Sequence, residues 1–184
     1  MKTDAVNKPL APIPIPLDGL SFGFLARNDG LFLPGIVTLK SNSPPNVATL
    51  SQLRVVINGL PPANITSIYP KSAVAHFALR ELLIGCATAS TGSVFVGGDP
   101  TLPTVIVPQT CTLLFEGRSS KGKDVDQTCS YGGLGPVNGK LAQCVLGPDF
   151  GDLVAVNITV QSSFTAKEAI IVAIEDVIHT NYYK

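Results

Sequence analysis

Four cysteines, Cys86, Cys111, Cys129 and Cys144, are set in a stretch that alternates apolar and polar residues. An even count at close spacing predicts two disulfides, and disulfides persist in oxidising compartments. Three connectivities are open to four cysteines. The pairs Cys86–Cys111 and Cys129–Cys144 are expected, because each closes one loop-rich segment without long-range threading. Loops of this size contribute about 3 kcal/mol each in a chain-entropy account. A zinc site is the competing use of cysteine. There is no Cys-x-x-Cys and there are only 2 histidines, so no metal site is expected.

The alternation between the cysteines predicts β-strands. Residues of opposite character at successive positions put one face on a core and the other in solvent. The expected strands are 20–26, 31–39, 50–58, 73–86, 111–117, 124–131, 141–146, 153–161 and 169–179. In the fourth, Phe77, Leu79 and Leu83 fall on one face. His76, Ala78, Arg80, Leu82 and Ile84 fall on the other. The last strand is apolar on both faces, as in the middle of a packed sheet. Turn signals separate the strands, Asn28-Asp29-Gly30 among them. The fold class expected is all-β, a jelly-roll-like antiparallel β-sandwich of about nine strands with two disulfides. Residues 1–18 hold Pro9, Pro12, Pro14 and Pro16 and read as an extended arm. Residues 19–184 read as a single β-sandwich domain.

The chain of 184 residues has 13 basic and 13 acidic side chains, so it carries no net charge to attract a phosphate backbone. No nucleic-acid partner is expected. No apolar run reaches the roughly 18 residues that would span a bilayer, so no membrane partner is expected. Only 14 % of residues are charged, and attached glycan would offset so apolar a surface. The same surface would allow a homodimer. Two sequons fit a glycoprotein of the secretory pathway or extracellular space, Asn64-Ile65-Thr66 and Asn157-Ile158-Thr159. Asn157 and Thr159 alternate with Val154, Val156, Ile158 and Val160, so the acceptor should face solvent. Met1-Lys2-Thr3-Asp4 contains no signal-peptide core, so a secreted form would have lost its signal.

Conventional catalytic sets are missing. There is no Gly-x-Ser-x-Gly elbow and no phosphate-cradling glycine loop. Glu175-Asp176, near the expected end of the last strand, reads as a capped strand end. Calcium ligation is its alternative. His76 and Arg80 share a face by alternation. If strand 50–58 pairs with strand 73–86, Arg54 and Asn58 would join them in one polar patch. A solvated outer face is the plainer reading of those residues.

The run Leu60-Pro61-Pro62-Ala63-Asn64-Ile65-Thr66-Ser67-Ile68 is followed by Ile84-Gly85-Cys86, Cys111-Thr112, Cys129-Ser130-Tyr131, Ala142-Gln143-Cys144, Phe150-Gly151-Asp152-Leu153 and Glu175-Asp176-Val177. This order resembles a group of small secreted fungal β-sandwich proteins, over roughly residues 18–180. Some of that group act as hetero-Diels–Alderases in the biosynthesis of tropolonic sesquiterpenoids. They join a tropolone o-quinone methide to a humulene-type alkene. The resemblance implies a cofactor-free pericyclase with small apolar substrates, a tropolone and a sesquiterpene. Such an enzyme needs an apolar site with a few hydrogen-bond donors. Arg80, His76, Arg54 and Asn58 are the expected catalytic donors, with Tyr69 and Phe77 as pocket walls. The alternative is a non-catalytic carbohydrate- or cell-wall-binding module. The lack of tryptophan, with only 4 tyrosines, argues against an aromatic sugar platform.

Overall fold

A computed structural model describes residues 11–12, 19–22, 25–28, 39–40, 46–51, 63–89, 106–132, 139–161 and 169–184. The described chain is all-β apart from one short 3-10 turn, Pro148–Gly151. The strands in chain order are β1 Ala11–Pro12, β2 Ser21–Phe22, β3 Leu25–Asn28, β4 Leu39–Lys40, β5 Asn46–Ser51, β6 Ala63–Thr66 and β7 Val74–Ala89. They continue with β8 Ile106–Pro108, β9 Cys111–Ser119, β10 Asp124–Tyr131, β11 Gly139–Lys140, β12 Ala142–Val145, β13 Leu153–Val160 and β14 Ala169–Tyr183.

Antiparallel pairing carries most of them into one sheet that curls almost into a barrel. The strand β7 organises it. One edge of β7 pairs with β14 along nearly its whole length. Its other edge meets three partners in turn: β13 at Phe77, β12 over Glu81 to Ile84, and β8 over Ala87 to Ala89. From β13 the ladder continues to β9, and from β9 to β10. The circuit therefore runs β12, β7, β13, β9, β10 and returns to β12.

That last step is closed by side chains and not by a ladder. The Cys129–Cys144 disulfide joins β10 to β12 with Cα atoms 5.7 Å apart. Beside it, the Gln127 amide donates to the Val145 carbonyl at 2.8 Å and accepts from the Gly147 N–H at 2.8 Å. One side-chain amide thus supplies the donor and acceptor that a neighbouring peptide would offer. The Cys86–Cys111 disulfide ties β7 to the start of β9 with Cα atoms 6.1 Å apart. Both pairings agree with the sequence expectation, and the described residues hold no free cysteine. Two disulfides are compatible with a secretory or extracellular location. No described helix is long and apolar enough to cross a membrane.

The core lies inside the curl. Cys111, Leu113, Phe115, Gly117 and Ser119 alternate inward along β9. Phe77, Leu79, Leu82, Ile84, Phe150, Leu153, Val156 and Ile158 meet them there. Each such large apolar side chain contributes about 1.5–3 kcal/mol when fully buried.

The structure changes the expected faces of β7. Leu82 and Ile84 are buried in the core with Phe77 and Leu79, not on the His76 face. The β7–β14 register is irregular between Glu175 and His179, and Asp176 takes φ 45° there. A second irregularity separates Tyr182 from Tyr183, opposite Ala75. Such bulges reset which residues point inward. The last strand also runs on to Tyr183, so Glu175-Asp176 sits within it and not near its end. Finally, β14 lies between β5 and β7. The described part of the 50–58 segment, Leu50 and Ser51, pairs with β14 and not with β7.

Candidate functional site

The outward face of β7 carries the candidate site. With Phe77 and Leu79 inside, strand alternation turns His76 and Arg80 outward, and Ala78 between them is on the same face but buried. Tyr182 is the cross-strand partner of His76, and Thr180 is the partner of Ala78. Directly paired residues share a face. The His76 and Tyr182 rings stack, with centroids 4.5 Å apart and planes 9° apart. Further along lie Arg80 and the exposed Ile178. The strip from His76 to Arg80 covers four strand steps, about 13 Å. The Arg80 guanidinium is exposed and makes no ion pair among the described residues.

Asp152 reaches the strip from the start of the neighbouring strand β13. Phe150 is buried and anchors the turn Pro148–Gly151 against the core. The chain then enters β13 at Leu153, which pairs with Phe77. This places Asp152 beside His76, the residue before Phe77. Asp152 Oδ1 lies 2.9 Å from His76 Nδ1, and both side chains are about one-third exposed, 34 % and 32 %. The contact is close but lacks hydrogen-bond alignment, so it acts as an electrostatic pair when the ring is protonated. The carboxylate is held from behind. Ser120 Oγ donates to Asp152 Oδ2 at 2.8 Å, and the Ser120 N–H donates to the Asp152 carbonyl at 3.0 Å.

The order of these groups decides their chemistry. Ser120 bonds the carboxylate, and the carboxylate faces the imidazole. A hydrolytic triad needs the serine on the imidazole instead. The arrangement suits a positioned imidazole that exchanges protons with a bound molecule, next to an aromatic ring and a guanidinium donor. Among the described residues no group of His, Cys, Asp and Glu could hold a metal ion.

The other expected site residues are placed as follows. Phe77 is fully buried and faces away from His76, so it is a core residue and not a wall of the strip. Tyr69 is half-buried, and its hydroxyl donates to the Gly19 carbonyl at 2.9 Å. Arg54 and Asn58 lie outside the described residues. Asn157 is exposed and Asn64 half-buried, while their neighbours Val156, Ile158, Ala63 and Ile65 are in the core.

Sequence reasoning missed Asp152, Tyr182 and Ser120 as site residues. The run Phe150-Gly151-Asp152-Leu153 was a visible signal for the first. Tyr182 was lost because the last strand was expected to stop at His179. Burial pushes the Tyr131 hydroxyl above its ordinary pKa, but Tyr131 lies at the far end of β10, in the core. No protein-family model, curated protein or solved structure matches this chain.

Proposed function

We propose that the protein is a cofactor-independent pericyclase that couples a tropolone o-quinone methide to a humulene-type alkene. The observation that carries this reading is the outward strip of Tyr182, His76, Arg80 and Ile178, with Ala78 covered between them. It offers apolar and aromatic contact between two hydrogen-bond donors, and its length suits two small ring systems held side by side. The group resemblance set out above points to the same chemistry.

In this reading His76 moves the proton that generates the diene. A hydroxymethyl tropolone loses its side-chain hydroxyl together with the ring hydroxyl proton, as one water. His76 accepts the ring proton and delivers it to the departing hydroxyl. Arg80 stabilises the ring oxygens as charge shifts onto them. The quinone methide oxygen and exocyclic carbon then add across the alkene, forming one C–O and one C–C bond. The protein's part in that step is to hold both reactants in contact. The finer architecture that accompanies this reading is a jelly-roll-like sandwich. The hand-over of β7 from β13 to β12 to β8 along one edge supports it.

The test is incubation of the purified protein with the tropolone alcohol and the macrocyclic alkene. Adduct should form faster than in buffer and with one stereochemical outcome. A yield and stereochemistry equal to the spontaneous reaction overturn the reading. A specific glycan-array signal in their place would favour the carbohydrate-binding alternative.

A further inference from the structure

The two sequons are distant in sequence, yet the sheet brings them together. Asn157 on β13 is the direct cross-strand partner of Asn64 on β6. Both point outward, because Ala63, Ile65, Val156 and Ile158 beside them are buried. Asn157 is paired on its other side with the exposed Glu116 of β9, and Glu116 with the exposed Asp126 of β10. Asn64, Asn157, Glu116 and Asp126 therefore form one polar row across the outer face of the sheet.

We infer that this row is a single N-glycan site with two alternative acceptors, Asn64 and Asn157. Directly opposed residues in an antiparallel pair have Cβ atoms about 4.5–5.5 Å apart. An N-acetylglucosamine ring with its acetamido group is wider than that spacing. Two such stems on one rung would crowd each other, and Glu116 hems the stem on Asn157 from the other side. A first glycan, once β6 and β13 pair, closes the second asparagine to the transferase. The Oγ1 of Thr66, the hydroxyl residue of the Asn64 sequon, is also fixed in the sheet, donating to the Val154 carbonyl at 3.0 Å and accepting from the Ile68 N–H at 2.9 Å. The transfer joins the asparagine Nδ2 to C1 of the sugar. The lipid diphosphate of the donor leaves, and one amide proton is lost. This proposal does not depend on the pericyclase reading, since none of Asn64, Asn157, Glu116 and Asp126 is among the residues that reading uses.

The experiment is to secrete the full chain from a yeast host behind a leader sequence. Intact mass is measured before and after peptide N-glycosidase, whose Asn-to-Asp mark locates the acceptor. Wild type should carry one glycan per folded molecule. N64Q and N157Q should each still carry one, on the remaining asparagine, and the double variant none. Thr159→Ala removes the second sequon without touching Asn157, and it replaces N157Q if that variant is not secreted. Two glycans on most secreted wild-type molecules would overturn the proposal. So would no glycan at all, or loss of all glycan in one single variant.

Discussion

Gly117 is a position where one methyl group should cost much for its size. It is buried on β9, behind the turn that presents Asp152. A Cβ built there meets Leu153 Cδ2 at 2.8 Å, Val125 Cγ2 at 2.9 Å and Phe150 Cε1 at 3.4 Å. Carbon atoms settle at about 3.5–4.0 Å, so two neighbours must each retreat by about 0.6 Å or more. All three neighbours are buried, so none can swing into solvent. Overpacking of this kind costs about 1–3 kcal/mol. Alanine recovers about 0.4–1 kcal/mol by reducing the freedom of the unfolded chain. At the middle of both ranges the net loss for Gly117→Ala is about 1.3 kcal/mol, or about 3–5 °C in melting temperature for a chain of this length. Thermal melts followed by circular dichroism read this directly. Gly132→Ala is the control, since nothing lies within 4 Å of its added Cβ, and it should melt with the wild type. A Gly117→Ala variant that melts at or above the wild-type temperature would refute the packing argument.

Other perturbations test separate parts of the structure. Replacing Cys129 and Cys144 together by serine opens the β10–β12 closure and should lower stability by about 3 kcal/mol in urea titrations; an unchanged midpoint counts against the disulfide as a clamp. Gly19→Ala should destabilise for two reasons, its φ of +74° and a Cβ only 2.8 Å from Val74 Cγ2, and a melt equal to wild type contradicts both. Burial raises the Tyr131 pKa in the folded state, so the native state keeps its proton where the unfolded chain loses it. Stability from this source is intact below the ordinary tyrosine pKa of 10.0 and falls as pH rises above it, so Tyr131→Phe should flatten that alkaline decline. His76→Phe should keep the stack on Tyr182 while lowering adduct formation by about 10²-fold or more. Retention of full rate in that variant removes His76 from the reaction.

Much of the strand pattern could be read from the sequence, for a local reason. The strand β10 begins and ends where alternation and turn residues place it, and β9 and β13 differ from expectation only at their ends. Disulfide pairing was equally legible, because short loop closure is a local property. What escaped was everything set by register. No residue near Glu81 announces that the β7–β14 ladder breaks there, yet that break turns Leu82 and Ile84 inward. Alternation says which residues share a face only until a bulge intervenes. The candidate site was half legible for the same reason. His76 and Arg80 lie on one strand, and local periodicity put them together. Asp152, Ser120 and Tyr182 come from three other segments, and only strand order brings them near.

The place of β14 has a consequence for how the chain is made. It is the last strand to leave the ribosome among those described, yet it sits between β5 and β7. Until it arrives, the long edge of β7 has no partner, and neither does the β14-facing edge of β5. Exposed strand edges of this kind recruit other chains. The sheet must therefore wait, open along its middle, for β14. Its yield in a cell should depend on how well a chaperone guards that gap during synthesis, and truncation from the C-terminal side should produce aggregation before it produces a smaller folded protein.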